Sequence, residues 1–121
     1  MRNAIIVINS ELSMKDNIFL WLKNDLYKII LMGILPESTD MKCIKEERSC
    51  WQDLFSLREK FEKAGFSVSI ATEKGSVFNL INTVQAIEAD VLFLPKVKFI
   101  TLATDEFDDF LTQLSCSLVL Y

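Results

Sequence analysis

Five short apolar runs, separated by segments of helical periodicity, constrain the fold of this chain more than any other feature. Most of the runs are continuous rather than alternating, which is typical of parallel strands covered on both faces. The predicted strands are Ala4–Ile8, Tyr27–Leu35, Phe66–Thr72, Val91–Leu94 and Ser117–Tyr121. Only the third alternates apolar and polar residues, so we expect it to be half-exposed. Pro36 and Pro95 end the second and fourth strands.

Helical segments fill the intervals between the strands. Their apolar residues recur at spacings of three and four, which predicts one buried face on each helix. The predicted helices are Ser13–Asn24, Asp40–Ala64, a third beginning at Ser76, and Asp105–Leu114. Their inward-facing residues are Met14, Ile18, Trp21 and Leu22; Ile44, Trp51, Leu54, Phe55 and Phe61; Phe78, Ile81, Val84 and Ile87; and Phe107, Phe110, Leu111 and Leu114.

Strand and helix alternate along the whole chain. This order predicts an α/β protein, a single domain over residues 1–121, with an open five-stranded parallel sheet and helices on both faces. Because crossovers between parallel strands are right-handed, few strand orders are possible. One is the flavodoxin-like arrangement with the first strand in the centre.

The scarcity of two residue types excludes most well-understood chemistry. The chain has no histidine, which removes serine–histidine and cysteine–histidine nucleophiles and His-based zinc sites. Its three glycines, Gly33, Gly65 and Gly75, are too far apart for a Walker loop or a GxGxxG turn. The carboxylates of Glu37 and Asp40 are candidates for acid–base work, but no pattern places them in a pocket. We therefore expect no enzyme.

The balance of charge argues against a nucleic acid partner, and the short apolar runs argue against a membrane span. Thirteen basic and seventeen acidic residues give a net charge of −4, and only Lys96 and Lys98 form a local basic patch. The longest apolar run, Ile29–Leu35, is far shorter than the roughly 20 residues of a membrane span. Ala4–Ile8 is too short for a signal-peptide core. We expect a soluble, cytoplasmic protein.

The three cysteines, Cys43, Cys50 and Cys116, do not form a recognisable metal or redox motif. Cys43 and Cys50 lie seven residues apart in a predicted helix, a rise of about 10.5 Å. A disulfide needs Cα atoms within about 7 Å. Reduced cysteines of a cytosolic protein are the favoured interpretation, and no metal site is expected.

The second half of the chain carries three short motifs in a fixed order. Gly75-Ser76 opens a helix, Ala89-Asp90-Val91-Leu92-Phe93-Leu94 contains the fourth strand, and Cys116-Ser117-Leu118-Val119-Leu120 contains the fifth. These motifs resemble the universal stress protein family, whose members carry a glycine-started helix, an "Ala-Asp-[Leu/Val]-Ile-Val" fourth strand and a closing "Cys-Pro-Val-Leu-Val-Val" strand. The first strand, with Asn9 at its end, is similar to "ILV-x-[Val/Ile]-Asp". The resemblance implies the strand order 3-2-1-4-5.

The chain differs from the family pattern at the residues that bind ATP in other members. Members that bind ATP carry Gly-x2-Gly-x9-Gly-[Ser/Thr] after the fourth strand, whereas Leu94–Glu106 contains no glycine. A phosphate loop uses glycine for positive φ and close backbone approach, and Pro95 has no N–H to donate. The aspartate that ends the first strand in ATP binders is replaced by Asn9. The resemblance therefore implies a member without ATP or another cofactor.

The start of the fourth predicted helix gives an independent electrostatic argument. Its first residues include four carboxylates, Asp105, Glu106, Asp108 and Asp109. Acidic residues there complement the helix dipole, and they occupy the position that a bound phosphate would need. Carboxylates at this helical spacing do not wrap a calcium ion as a loop does.

An alternative function remains open at this stage. Asn9 and Ser10 follow the first strand, and Lys96 and Lys98 follow the fourth, at the edge where open α/β sheets bind ligands. If Lys96 and Lys98 lie in an extended segment, they point the same way and could hold an anion. These four residues are the candidates for a nucleotide or small-anion site. Turn formation at Asn9 and Ser10 and ordinary solvation of Lys96 and Lys98 are the favoured interpretations.

The strand Ser117–Tyr121 predicts a contact with a second copy of the chain. In the order 3-2-1-4-5 it lies at an edge of the sheet, where natural proteins place charge, proline or a bulge. Ser117, Leu118, Val119, Leu120 and Tyr121 supply none of these. The favoured hypothesis is a universal-stress-protein-like regulatory or interaction module that forms a homodimer through this strand.

Overall fold

Five strands form one parallel sheet in the computed structural model, which describes residues 1–8, 22–75, 77–99 and 104–121. They are β1 (Arg2–Val7), β2 (Tyr27–Leu35), β3 (Val68–Lys74), β4 (Val91–Leu94) and β5 (Ser117–Leu120). Their order in the sheet is β3-β2-β1-β4-β5, and every neighbouring pair is parallel. The predicted α/β fold and strand order are confirmed, with the first strand in the centre.

In the described parts of the chain, four helices lie between these strands. They are α1 (Met41–Lys63), α2 (Leu80–Ile87), α3 (Lys96–Phe99) and α4 (Thr104–Gln113), and a 3₁₀ turn over Val77–Asn79 precedes α2. Most of the helix predicted over Ser13–Asn24, including Met14, Ile18 and Trp21, lies outside the described residues, as does Ser76. The last three residues of that prediction, Leu22–Asn24, are not helical. Within the described residues no helix combines the length and the apolarity of a membrane span.

The sheet separates two apolar layers. Alternate residues of β1 supply both, because Ala4 and Ile6 face α1 while Ile5 and Val7 face α2 and α4. All four residues of β4 are buried. This double coverage is the physical reason why the central strands read as continuous apolar runs.

Helix α1 has a narrower core face than its sequence predicted. Leu54, Leu57 and Phe61 are buried against the sheet, whereas Ile44 is 40% and Phe55 50% exposed. The prediction that Ile44 and Phe55 face inward is therefore wrong. Phe55, for example, directly follows the buried Leu54, and one residue rotates the side chain by about 100° around the helix axis, away from the sheet.

Smaller differences concern the ends of elements. The third strand begins at Val68 rather than Phe66, whose ring instead packs edge-on against Phe61 at 5.7 Å between centroids. On α4, Phe110 is buried as predicted but Leu111 is 44% exposed. Leu111 lies beside the buried face of the helix. A helix that packs on one sheet buries only a narrow stripe of its surface.

Candidate functional site

The carboxyl ends of β1 and β4 mark the point where the winding of the sheet reverses. From β1 the chain moves to β2 on one side, and from β4 it moves to β5 on the other. In open α/β sheets the crevice at this position is where ligands bind. We therefore take the edge formed by the ends of β1 and β4 as the candidate site.

Proline leaves a gap in the hydrogen-bond ladder at this edge. Ile6 is paired with Phe93 in parallel register, so the next bond toward the carboxyl ends would run from the N–H of residue 95 to the carbonyl of Val7. Pro95 has no N–H. The Tyr121 hydroxyl donates to the Val7 carbonyl instead.

The backbone of Tyr121 is fixed on the far side of β4. Its N–H donates to the Leu94 carbonyl at 3.1 Å, and its own carbonyl accepts from the Lys96 N–H at 2.7 Å. Because the hydroxyl reaches β1 while the backbone pairs with β4 from the β5 side, the side chain crosses the carboxyl end of β4. A half-buried aromatic side chain thus occupies the candidate crevice.

The same contacts use the backbone donors that follow β4. Phosphate loops bind their ligand through successive backbone N–H groups. Here Pro95 offers none, and the N–H of Lys96 is already bonded to Tyr121. The first two residues after β4 are therefore unable to contribute to such a cradle.

The lysines predicted to lie together in an extended segment do not do so. Lys96 and Lys98 belong to the helical turn α3, in which positions two apart are rotated by about 200°. The proline explains the difference, because its fixed φ suits the start of a helix. Lys96 is exposed. Asn9 and Ser10, the other two candidates, lie outside the described residues.

Negative charge lies at the beginning of α4. Asp105 and Glu106 are exposed in its first turn, and Asp108 and Asp109 are exposed one turn further. These carboxylates suit the positive end of the helix dipole. An anion at the start of α4 would meet their repulsion.

Asp40, one of the two carboxylates considered for acid–base work, has a structural role. Asp40 caps α1 by accepting from the Cys43 N–H at 2.9 Å, and Ser38 donates to its other oxygen at 3.0 Å. These bonds, chiefly the one from Cys43, lower the pKa of Asp40 below its ordinary value of 3.8. A carboxylate held as a cap is poorly placed to act with Glu37 as an acid–base pair.

The thiols of Cys43 and Cys116 are not activated. Desolvation raises the pKa of Cys43 and of Cys116, and nearby Asp40 and Asp90 respectively act in the same direction. A thiol with a raised pKa is a weaker nucleophile and metal ligand at neutral pH. Cys43 and Cys116 are free thiols, and the described part of the chain holds no cluster of three or more metal-ligating residues.

Sequence reasoning missed the role of Tyr121 at this site. The sequence shows that Pro95 has no backbone N–H to donate. Which carbonyl this leaves without a ladder partner depends on the register between β1 and β4. That register joins residues almost ninety positions apart, and no local pattern encodes it.

Comparisons with known proteins agree with this architecture. No protein-family model matches the chain, and no curated protein matches it. Six chains of known structure match. One is the crystal structure of a protein from the universal stress protein family from Burkholderia pseudomallei, at 9% sequence identity and a TM-score of 0.65, covering 99% of this chain and 95% of that one.

The similarity extends over nearly the whole of both chains, so it concerns the complete arrangement of strands and helices. At this identity it establishes the fold alone. The protein has a universal-stress-protein-like α/β fold.

Proposed function

We propose that this chain is a universal-stress-protein-like regulatory or interaction module that does not bind ATP. One observation carries the proposal: Tyr121 lies across the carboxyl end of β4 and bonds to Val7, in the crevice where open α/β sheets bind ligands. A nucleotide would have to displace that side chain and leave the Val7 carbonyl unpaired. The protein is not an enzyme in this proposal, and it acts in the cytoplasm.

Two further features support the loss of nucleotide binding. The segment 94–106 contains no glycine, so a side chain stands wherever its backbone would approach a phosphate. The carboxylates of Asp105 and Glu106 add repulsion at the start of α4. Both features act independently of Tyr121.

A thermal-shift series with ATP, AMP and inorganic phosphate tests the proposal. Ligand at one hundred times its Kd adds about 2.7 kcal/mol to the free energy of unfolding, which raises the Tm of a domain of this size by several degrees. We expect no measurable shift at millimolar ATP.

Charge reversal identifies the source of any shift. A clear ATP-dependent rise that disappears in Lys96→Glu/Lys98→Glu would contradict the proposal and support an anion site at α3. The matched control reverses Lys42 and Lys45, two exposed lysines on α1. The same loss in that control would indicate an effect of net charge alone.

We also propose that the module forms a homodimer through Ser117–Tyr121. Strand β5 is one end of the sheet order, and these residues carry neither charge nor proline. Since Tyr121 points its backbone groups toward β4, the alternation of the strand directs the N–H groups of Leu118 and Leu120 toward the open side. Antiparallel pairing about a twofold axis would satisfy them in both copies.

Light scattering with three variants tests this contact. Val119→Lys places a charge on the strand, and Leu118→Pro removes an outward-facing N–H while leaving the bonds to β4 in place. Leu118→Ala is its control, because it shares the loss of the leucine side chain but keeps the donor. We expect Leu118→Pro and Val119→Lys, but not Leu118→Ala, to weaken association. A wild-type mass of 13.9 kDa at tens of micromolar would contradict the dimer.

A further inference from the structure

One flank of α1 carries apolar side chains that the core does not cover. We define the α1 flank as Ile44, Trp51, Phe55 and Arg58. Trp51, Phe55 and Arg58 each follow a core-facing residue by one position, and Ile44 lies seven residues before Trp51 on the same side of the helix. Trp51 and Phe55 stack with ring centroids 5.8 Å apart, and the Arg58 guanidinium lies 5.1 Å from the Phe55 centroid. Half of Phe55 and 40% of Ile44 remain exposed.

The α1 flank faces the outer edge of the sheet. Helix α1 connects β2 to β3 by a crossover that is right-handed in this class of fold. In such a unit, the helical positions about 100° past the core face point toward the second strand, here β3. In agreement, Trp51 packs against the same apolar layer as Val68 and Ile70 of β3.

No described strand pairs with the outer side of β3. It is the last strand of the sheet on this side, and Val68–Thr72 carries neither charge nor proline. The face beneath α1 is apolar, with Val68 and Ile70, whereas the opposite face carries Ser69, Ala71 and Glu73. A strand added here would have one face under the α1 flank and the other in solvent.

We propose that this surface pairs with a second copy of the chain, β3 against β3, about a twofold axis normal to the sheet. Strands in a sheet are about 4.8 Å apart, and α1 packs over β2, against Gly33, and over the neighbouring β3. Two copies joined in this way place their α1 axes about 10–14 Å apart, a spacing that large side chains such as those of Trp51 and Phe55 span. The two α1 flanks then face each other.

The register of β3 determines which residues meet. Gly33 is paired with Thr72 and lies against Cys50 and Leu54 of α1, so this turn of the helix is level with Thr72. Two strand residues back, about 6.6 Å, correspond to roughly four helical residues. An axis near Ile70 therefore lies level with Phe55.

Charge complements this arrangement. The two copies of α1 run antiparallel, so with Phe55 at the axis Arg48 faces Glu62 of the other copy, since each lies seven residues from Phe55. The exposed pairs Arg58–Glu62 at 3.4 Å and Glu59–Lys63 at 3.0 Å already balance charge within each helix. The flank can therefore approach a copy of itself without net repulsion.

This contact is separate from the proposed β5 dimer, because β3 and β5 are opposite edges of the sheet. A chain that uses both edges forms the β5 dimer first and joins such dimers through β3. Its assemblies lengthen as concentration rises, with the two contacts alternating. The mass of single and double variants therefore tests each contact independently of the other.

Light scattering over a concentration series tests the β3 contact. We expect the wild type to be a dimer at the lowest concentrations and to exceed the dimer mass at the highest, and we expect Phe55→Glu to remain a dimer throughout. Ser56→Glu is the control, because it adds the same charge to an exposed position of α1 pointing away from the flank. We expect Val119→Lys alone to give a dimer and Phe55→Glu/Val119→Lys a monomer.

A second experiment uses charge exchange, with the melting curve of each variant confirming that it is folded. Arg48→Glu should weaken association several-fold, and Arg48→Glu/Glu62→Arg should restore it. The proposal is overturned if Phe55→Glu has the same mass as the wild type at every concentration. It is also overturned if Arg48→Glu/Glu62→Arg associates no more strongly than Arg48→Glu. A β5 dimer that persists in either case would leave the proposed function intact.

Discussion

Pro95 governs the chemistry of the candidate site because it removes one backbone donor from the centre of the sheet. The carbonyl of Val7 is paired through the hydroxyl of Tyr121 rather than through the ladder. An unpaired buried carbonyl is costly, so the tyrosine stabilises the fold as well as filling the crevice.

Tyr121→Phe tests the hydroxyl alone. The ring remains, but the Val7 carbonyl loses its donor, and we expect the free energy of unfolding to fall by about 1 kcal/mol. Adding Pro95→Ala supplies an N–H at the position where the ladder can use it, so the double variant should recover part of the loss. Urea denaturation measures both. Equal stability of Tyr121→Phe and the wild type would contradict the assigned bond.

The lowered pKa of Asp40 predicts how the stability of the protein depends on pH. Its folded pKa is lowered by the Cys43 N–H and the Ser38 hydroxyl, so the folded state binds fewer protons than the unfolded state. The resulting stability is present above the ordinary pKa of 3.8 and is lost as the pH falls through the lower folded value.

Asp40→Asn is the variant that isolates this charge, because asparagine also caps helices. On acidification from neutral pH to below 3.8, Tm should fall less in Asp40→Asn than in the wild type. Asp40→Ala removes the cap and should lower Tm at every pH. Parallel pH profiles for Asp40→Asn and the wild type would be inconsistent with a charged cap.

At the scale of elements, α1 approaches β2 closely at Gly33. A Cβ there would lie 2.7 Å from Cys50 Sγ and 2.9 Å from Leu54 Cδ1. Gly33→Ala should therefore destabilise the protein by about 1–3 kcal/mol through overpacking. The double variant Gly33→Ala/Cys50→Ala should lose less free energy of unfolding than the two single variants lose together. Additive denaturation energies would show that the two side chains do not compete for space.

The elements were predictable to different degrees. The bounds of β2 and β4 follow from the sequence because apolar runs ending at Pro36 and Pro95 leave little choice. The face of α1 was less predictable. Its apolar residues form two adjacent rows, and only the position of the sheet decides that Leu54 is covered while Phe55 is not.

At the scale of the whole molecule, alternation of strand and helix was sufficient to predict the fold class, since right-handed crossovers leave few parallel arrangements. The candidate site was not predictable in the same way. That Tyr121 reaches Val7 depends on a strand register, and the helical turn at Lys96 replaced an expected extended segment. Long-range geometry, rather than local propensity, determines both.

Equilibrium dialysis of ATP against the wild-type protein tests the central claim most directly, because it detects binding whether or not the fold is stabilised. We predict equal ATP concentrations on both sides of the membrane with protein at hundreds of micromolar, because the Tyr121 side chain occupies the crevice that a nucleotide would need. Saturable retention approaching one ATP per chain, with half-saturation in the micromolar range, would contradict the account. It would mean that Tyr121 yields its place to a nucleotide.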